Sequence, residues 1–214
     1  MNGLADLASA AAPLFAPALV AWGAPVTWLE LVAFVLAVAM VVLNIRVNAW
    51  AWPLAIASSL LYFLLFWKSR LYGDASLQIF FALVAGWGWY QWRRGTDASG
   101  RTLVVRRLGA RGRLAIVAAI ACAWPAAALF LARFTDTDVP WWDAFPTAGS
   151  VVGQYLLGRK YVENWPTWLV VNVVGCALFA YKGLWLTVVL YAIFTAMSVA
   201  GWRAWRALLP SRAG

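Results

Sequence analysis

The sequence predicts an all-α polytopic membrane protein: seven transmembrane helices in a 3+1+3 arrangement, with two three-helix repeats running in parallel and joined by a linker helix. Three observations carry that prediction. The 214 residues are 64% apolar and 12% charged, with a mean hydropathy of +0.76, whereas a soluble domain runs nearer a quarter charged. The apolar residues fall into seven runs, each close to the roughly 20 residues a bilayer requires. The motif that closes the third run returns at the close of the seventh.

Residues 1–25 are apolar and rich in Ala and Pro, without the basic start of a signal peptide. Pro13 and Pro17 interrupt helix there. They read as an exterior arm, a further membrane-embedded helix being the alternative. The first span is about Trp28–Leu43. The second, Trp52–Trp67, takes Pro53 in its first turn, where the missing N–H is unpaired anyway. The third is Ala75–Trp92 and the fourth Leu114–Ala132. The fifth, about Phe145–Leu157, is short. The sixth, Trp165–Tyr181, again has proline in its first turn, and the last is Leu184–Trp205. The 16 tryptophans suit a chain with many membrane–water boundaries. Cys122 and Cys176 fall inside apolar runs and read as small core residues, not as a disulfide.

Topology is a simpler cause of the formal charge of +9 than nucleic acid, because the basic residues lie between apolar runs; binding of anionic lipid or RNA by the arginine-rich loop is the alternative. The third-to-fourth loop carries Arg93, Arg94, Arg101, Arg106, Arg107, Arg111 and Arg113. The fifth-to-sixth loop carries Arg159 and Lys160, and the tail Arg206 and Arg212. The fourth-to-fifth loop instead carries Asp136, Asp138 and Asp143 with Arg133. Basic loops face the cytoplasm, which puts the N-terminus outside and the C-terminus inside. Lys68 and Arg70, in the second-to-third loop, are a mild violation.

Gly88-Trp89-Tyr90-Gln91-Trp92-Arg93 and Gly201-Trp202-Arg203-Ala204-Trp205-Arg206 stand 113 residues apart. Holding that offset, Trp52-Pro53 meets Trp165-Pro166, Phe81 meets Phe194 and Arg46 meets Arg159, with about fifteen identities over roughly 66 aligned positions. The chain therefore divides into an exterior arm (1–25), a first three-helix repeat (26–95), a basic cytoplasmic loop with the linker helix (96–140), a second repeat (141–207) and a cytoplasmic tail (208–214). One extra crossing between three-span units keeps both in the same orientation, with the relating axis along the membrane normal. In carriers built this way the solute sits between the halves near the midplane.

The candidate site follows from polar groups placed inside spans, each costly against lipid. In Glu163-Asn164-Trp165-Pro166-Thr167-Trp168-Leu169-Val170-Val171-Asn172, the residues Trp165, Trp168 and Asn172 share one helix face. Gln78 on the third span, Gln154 and the adjacent Tyr155 on the fifth, and Asn44 near the end of the first complete the set with Asn164. Asn44 and Asn48 read equally well as caps or loop residues. The alternative for the stripe is packing: Asn172 bonding a neighbouring helix and indoles anchoring an interface. Amides, phenols and indoles suit a neutral or delocalised-cation ring bearing hydroxyls. The chain has no His, and no span holds an acid deep inside. That argues against an enzyme, a metal or cofactor site, and proton coupling. The seventh span has no Lys for a retinal Schiff base, Lys182 lying just past the sixth.

Leu71-Tyr72-Gly73-Asp74-Ala75, Leu77-Gln78-Ile79-Phe80-Phe81, Gly88-Trp89-Tyr90-Gln91-Trp92 and Arg159-Lys160-Tyr161-Val162-Glu163-Asn164-Trp165, with Trp168 and Asn172 behind it, closely resemble the PnuC family of nicotinamide riboside transporters. The likeness covers roughly residues 28–206. It implies a seven-span fold related to the SWEET sugar carriers, a bacterial inner-membrane location, and facilitated diffusion of nicotinamide riboside by a homotrimer. It also implies inward flux pulled by cytosolic phosphorylation of the solute. By this resemblance the Glu-Asn-Trp-x-x-Trp-x-x-x-Asn stretch and the Leu-Gln of the third span line the vitamin site. Family branches carrying thiamine or riboflavin are the alternative, and Asn172 looks like the nicotinamide riboside version.

Overall fold

Thr27 and Glu30 show why the chain turns helical where it does. The Thr27 hydroxyl accepts from the Glu30 N–H at 3.2 Å, and the Glu30 carboxylate accepts from the Thr27 N–H at 2.7 Å. This reciprocal cap satisfies two otherwise orphaned donors and opens helix α1, Trp28–Ile45. The computed structural model describes residues 12–21, 23–68, 72–135, 137–183 and 185–209. Residues 1–11 of the expected arm, Arg70, Leu71, Asp136 and Arg212 lie outside the described residues, as do the side chains of Lys68 and Asp74. The described part of the arm forms a turn of 3-10 helix, Ala12–Phe15, and an antiparallel hairpin of β1 (Pro17–Ala21) with β2 (Ala24–Thr27) that leads into α1.

Six more helices follow: α2 (Ala51–Lys68), α3 (Tyr72–Arg94), α4 (Ala110–Phe134), α5 (Pro140–Gly158), α6 (Asn164–Tyr181) and α7 (Trp185–Ala207). The seven are 18 to 25 residues long, about 27–38 Å at 1.5 Å per residue. Among the described residues, α1, α4 and α7 are both long and apolar enough to cross a membrane alone. α2 has a shorter apolar stretch, Ala51–Leu65. The others are diluted by the amides, glycines, prolines and indoles that face the interior. Trp28, Trp67, Trp141, Trp142 and Trp185 are half-exposed at one end of the bundle, as indoles at a membrane boundary are.

Two expectations need correction. The fifth span is not short: α5 has 19 residues, because Pro140 supplies a favourable first helical position and the helix continues through Pro146. Nor are both cysteines core residues. Cys122 is exposed on α4, while Cys176 is half-buried at the α6–α7 contact, with Sγ 3.8 Å from the Val188 carbonyl; both are free.

Packing repeats along the chain. α1 packs on α2 and α2 on α3; α5 packs on α6 and α6 on α7; α1 meets α7, and α3 meets α5. α4 packs mainly on α5. The bounds of α2 and α3 return exactly 113 residues later as those of α6 and α7. The turns after α1 and α5 coincide too. Val47 and Lys160 take the left-handed conformation at φ 54° and 55°, and their N–H groups donate to the Asn44 and Leu157 carbonyls at 3.0 Å each.

Indoles tie the two sets of helices together. The Trp92 N–H donates to the Leu157 carbonyl at 3.0 Å, and the Trp205 N–H to the Asn44 carbonyl at 3.0 Å. Trp52 meets Trp92 edge-on at 5.5 Å, Trp165 meets Trp205 edge-on at 5.6 Å, and Trp92 lies 6.0 Å from Trp205. These rings form one buried core with Ala85, Val105, Leu157 and Val162. The α3–α4 connection is part of it. Its backbone bridges Arg106 to Lys160 and Val162 at 3.0 and 2.9 Å, and Leu103 and Val105 are buried beneath it. Lys160 is buried there, and its ammonium donates to the Leu103 carbonyl at 3.0 Å. Burial pushes its pKa down from the ordinary lysine value.

Candidate functional site

Four helices enclose a cavity of about 130 Å³ in the bundle. α1 contributes Met40, Val41 and Asn44. α5 contributes Ser150, Gln154 and Leu157. α6 contributes Asn164, Trp165, Trp168, Val171 and Asn172, and α7 contributes Tyr191, Phe194 and Ser198. The α6 stripe is thus on one wall, as helical spacing dictates. Close approach of α5 and α6 shapes that wall. A Cβ on Gly153 would stand 3.0 Å from the Trp168 ring, and one on Gly201 would stand 2.5 Å from the Trp165 ring. Side-chain-free positions on α5 and α7 therefore let both indoles lie flat into the interior.

The polar groups divide into satisfied and unsatisfied. The Asn172 amide donates to the Ser198 hydroxyl at 3.2 Å, and that hydroxyl donates to the Phe194 carbonyl at 2.7 Å. The Asn164 amide donates to the Tyr161 carbonyl at 2.6 Å and the Asn44 amide to the Met40 sulfur at 3.0 Å. Their oxygens, Asn164 Oδ1 and Asn44 Oδ1, are buried with no partner, and so are Gln154 Oε1 and the Trp165 indole N–H. Leaving a buried polar atom unpaired costs about 1–3 kcal/mol. Four such atoms belong to residues that line one cavity. Trp52, at the position matching Trp165, also has an unpaired indole N–H away from the cavity, so the three amide oxygens carry the argument.

Six of the eight predicted site residues meet here: Asn44, Gln154, Asn164, Trp165, Trp168 and Asn172. Gln78 and Tyr155 do not line the cavity. Tyr155 is half-exposed and stacks on Trp87 at 6.0 Å on the outer side of α5, because it sits one residue from Gln154 and so about 100° around the helix. Asn48 caps the following turn, its side-chain oxygen accepting from the Trp50 N–H at 2.9 Å. Ser198 and Tyr191 escaped sequence reading. Tyr191 lies 113 residues after Gln78, so the repeat signalled the position, but not which half leans inward. No Asp, Glu, Lys or Arg lines the cavity, and no cluster of metal-ligating side chains occurs among the described residues.

Comparison with known proteins adds to this geometry. The sequence model of a family described as "Nicotinamide mononucleotide transporter" matches residues 27–207. The riboflavin/roseoflavin transporter RibM of Streptomyces davaonensis is 34% identical over 182 residues, covering 84% of this chain and 85% of that protein. The nicotinamide riboside transporter PnuC of Escherichia coli is 28% identical over 169 residues, covering 68% of this chain and 71% of that one. The crystal structure of the vitamin B3 transporter PnuC superposes with a TM-score of 0.69 at 24% identity, covering 85% of this chain and 81% of that one. At that identity the match speaks for the fold.

Proposed function

We propose a function for this chain from its family: it belongs to the nicotinamide mononucleotide transporter family, whose related members are transporters of vitamins and not enzymes. In our reading it carries nicotinamide riboside across the bacterial inner membrane by facilitated diffusion. The observation that carries the substrate class is the set of buried, unpaired amide oxygens, Asn44 Oδ1, Gln154 Oε1 and Asn164 Oδ1, on residues that line one cavity. Three acceptors without donors call for a solute rich in O–H and N–H groups, which ribose hydroxyls and a carboxamide supply. Trp165 and Trp168 offer π faces to a cationic pyridinium ring.

Riboflavin is the second reading, favoured by the 34% identity to RibM; thiamine is a third member of the same class. The cavity of about 130 Å³ is smaller than the roughly 300–1,000 Å³ of ligand pockets, so it must widen for either solute, and less for a nucleoside with a single-ring base than for a three-ring flavin. Quenching of tryptophan fluorescence in the purified protein by nicotinamide riboside, riboflavin and thiamine separates them. Saturable quenching by nicotinamide riboside alone is expected. Riboflavin binding without it reverses the substrate and leaves the carrier.

The cavity holds no acid or base to couple a proton, which supports flux down the solute's own gradient, with cytosolic phosphorylation sustaining entry. The coincidence of helix bounds and turns at one offset supports two parallel three-helix units, 26–95 and 141–207, joined through 96–140, as in SWEET-like carriers. The basic ends of α3 and α7 support an outside N-terminal arm (1–25) and a cytoplasmic C-terminus (208–214). Assembly as a homotrimer is carried over from the resemblance; cross-linking in native membranes tests it.

A further inference from the structure

We propose that a groove between α4, the first turn of α6 and the last turns of α7 binds an anionic phospholipid. The groove, about 480 Å³, is separate from the central cavity. Arg107, Arg113 and Arg206 rim it, and Ile116, Val117 and Trp202 are among its apolar walls. Its one acid, Glu163, is already engaged: one carboxylate oxygen accepts from Arg113 Nε at 3.2 Å, the other from the Leu108 N–H at 3.1 Å. Three guanidinium groups against one paired carboxylate leave the rim net positive. Arg107 and Arg206 are exposed, and the Arg206 guanidinium lies 5.3 Å over the Trp202 ring, which leaves its edge free to donate.

The apolar walls choose the occupant. A soluble anion would engage the arginines and leave Ile116, Val117 and Trp202 wet. Leu114 and Val117 are exposed beside the groove, and further along α4 Leu129 and Phe130 are exposed too, each of the four at least 59%. A phosphate head between the arginines with acyl chains along α4 covers both surfaces, and basic pockets beside membrane helices select anionic headgroups by this division. Glu163, Pro166 and Thr167 form the groove's inner wall, on the same turns whose other face presents Asn164, Trp165 and Trp168 to the cavity. The lipid therefore braces the helix that carries more of the cavity's polar groups than any other.

Native mass spectrometry of the full-length protein, offered phosphatidylglycerol or phosphatidylcholine in non-ionic detergent, tests this. The wild type should retain phosphatidylglycerol preferentially. Arg107→Gln with Arg206→Gln should reduce that retention about tenfold, while Arg93→Gln with Arg94→Gln, a loss of equal charge at the end of α3, should leave it unchanged. Ile116→Gln, which removes apolar wall and no charge, should also weaken it, and millimolar inorganic phosphate should not displace the lipid. Equal retention of both lipids, an equal loss in the α3 variant, or displacement by phosphate would each overturn the proposal.

Discussion

Gln154 presents an unusual trade at the level of a single side chain. Its buried oxygen has no partner, so removing it relieves a desolvated group and removes a contact for solute at the same time. Gln154→Leu should therefore raise the melting temperature of the solute-free protein by about 2–4 °C and weaken solute binding about tenfold. A melting curve and a fluorescence titration on one preparation check both signs. Asn172 differs, because its amide already donates to Ser198. Asn172→Leu should lose about 1 kcal/mol of stability as well as uptake, measured at equal membrane level. Tyr155→Ala should leave binding unchanged, since that ring stacks on Trp87 outside the cavity. A sequence shows amides and indoles in apolar runs, and six of the eight candidate positions read from that pattern line one cavity. It does not show which of two adjacent polar residues turns inward, nor that a serine as inconspicuous as Ser198 completes the Asn172 wall.

At the level of helices, the contrast between halves is sharpest where an indole rests on a glycine. A Cβ on Gly88 would come within 2.3 Å of the Trp52 ring, and one on Gly201 within 2.5 Å of the Trp165 ring. Neither rigid ring can yield cheaply, so Gly88→Ala and Gly201→Ala should each destabilise by about 1–3 kcal/mol. Only Gly201→Ala should also weaken solute binding, because Trp165 lines the cavity and Trp52 does not; chemical denaturation paired with titration separates the two. The helix bounds themselves were largely readable, since proline in the first turns and Gly-Trp-x-x-Trp-Arg at the ends punctuate both triplets. Sequence reading places the fifth helix from about Phe145, although Pro140 already starts it five residues earlier. The bridge from Arg106 to Lys160 and Val162 had no local signal, as two loops far apart in sequence form it.

For the molecule as a whole, two indole N–H groups tie α3 to α5 and α7 to α1, Trp92 on the Leu157 carbonyl and Trp205 on the Asn44 carbonyl. Each accepting carbonyl belongs to a residue that itself lines the cavity. Trp205→Phe should cost about 1–3 kcal/mol and also alter uptake, because the Asn44 backbone loses its anchor. Uptake into proteoliposomes should be indifferent to a proton ionophore, since no Asp, Glu, Lys or Arg is among the described residues lining the cavity. Trp52, Trp92, Trp205 and Trp165 form a continuous ladder, with neighbouring centroids 5.5 to 6.0 Å apart. At such spacing the strong far-ultraviolet indole transitions couple as excitons, and the sign of the resulting dichroism depends on the angle between rings. The Trp92–Trp205 rung, tilted at 46°, joins α3 to α7, so the angle between those two helices should be readable in the dichroism without a label.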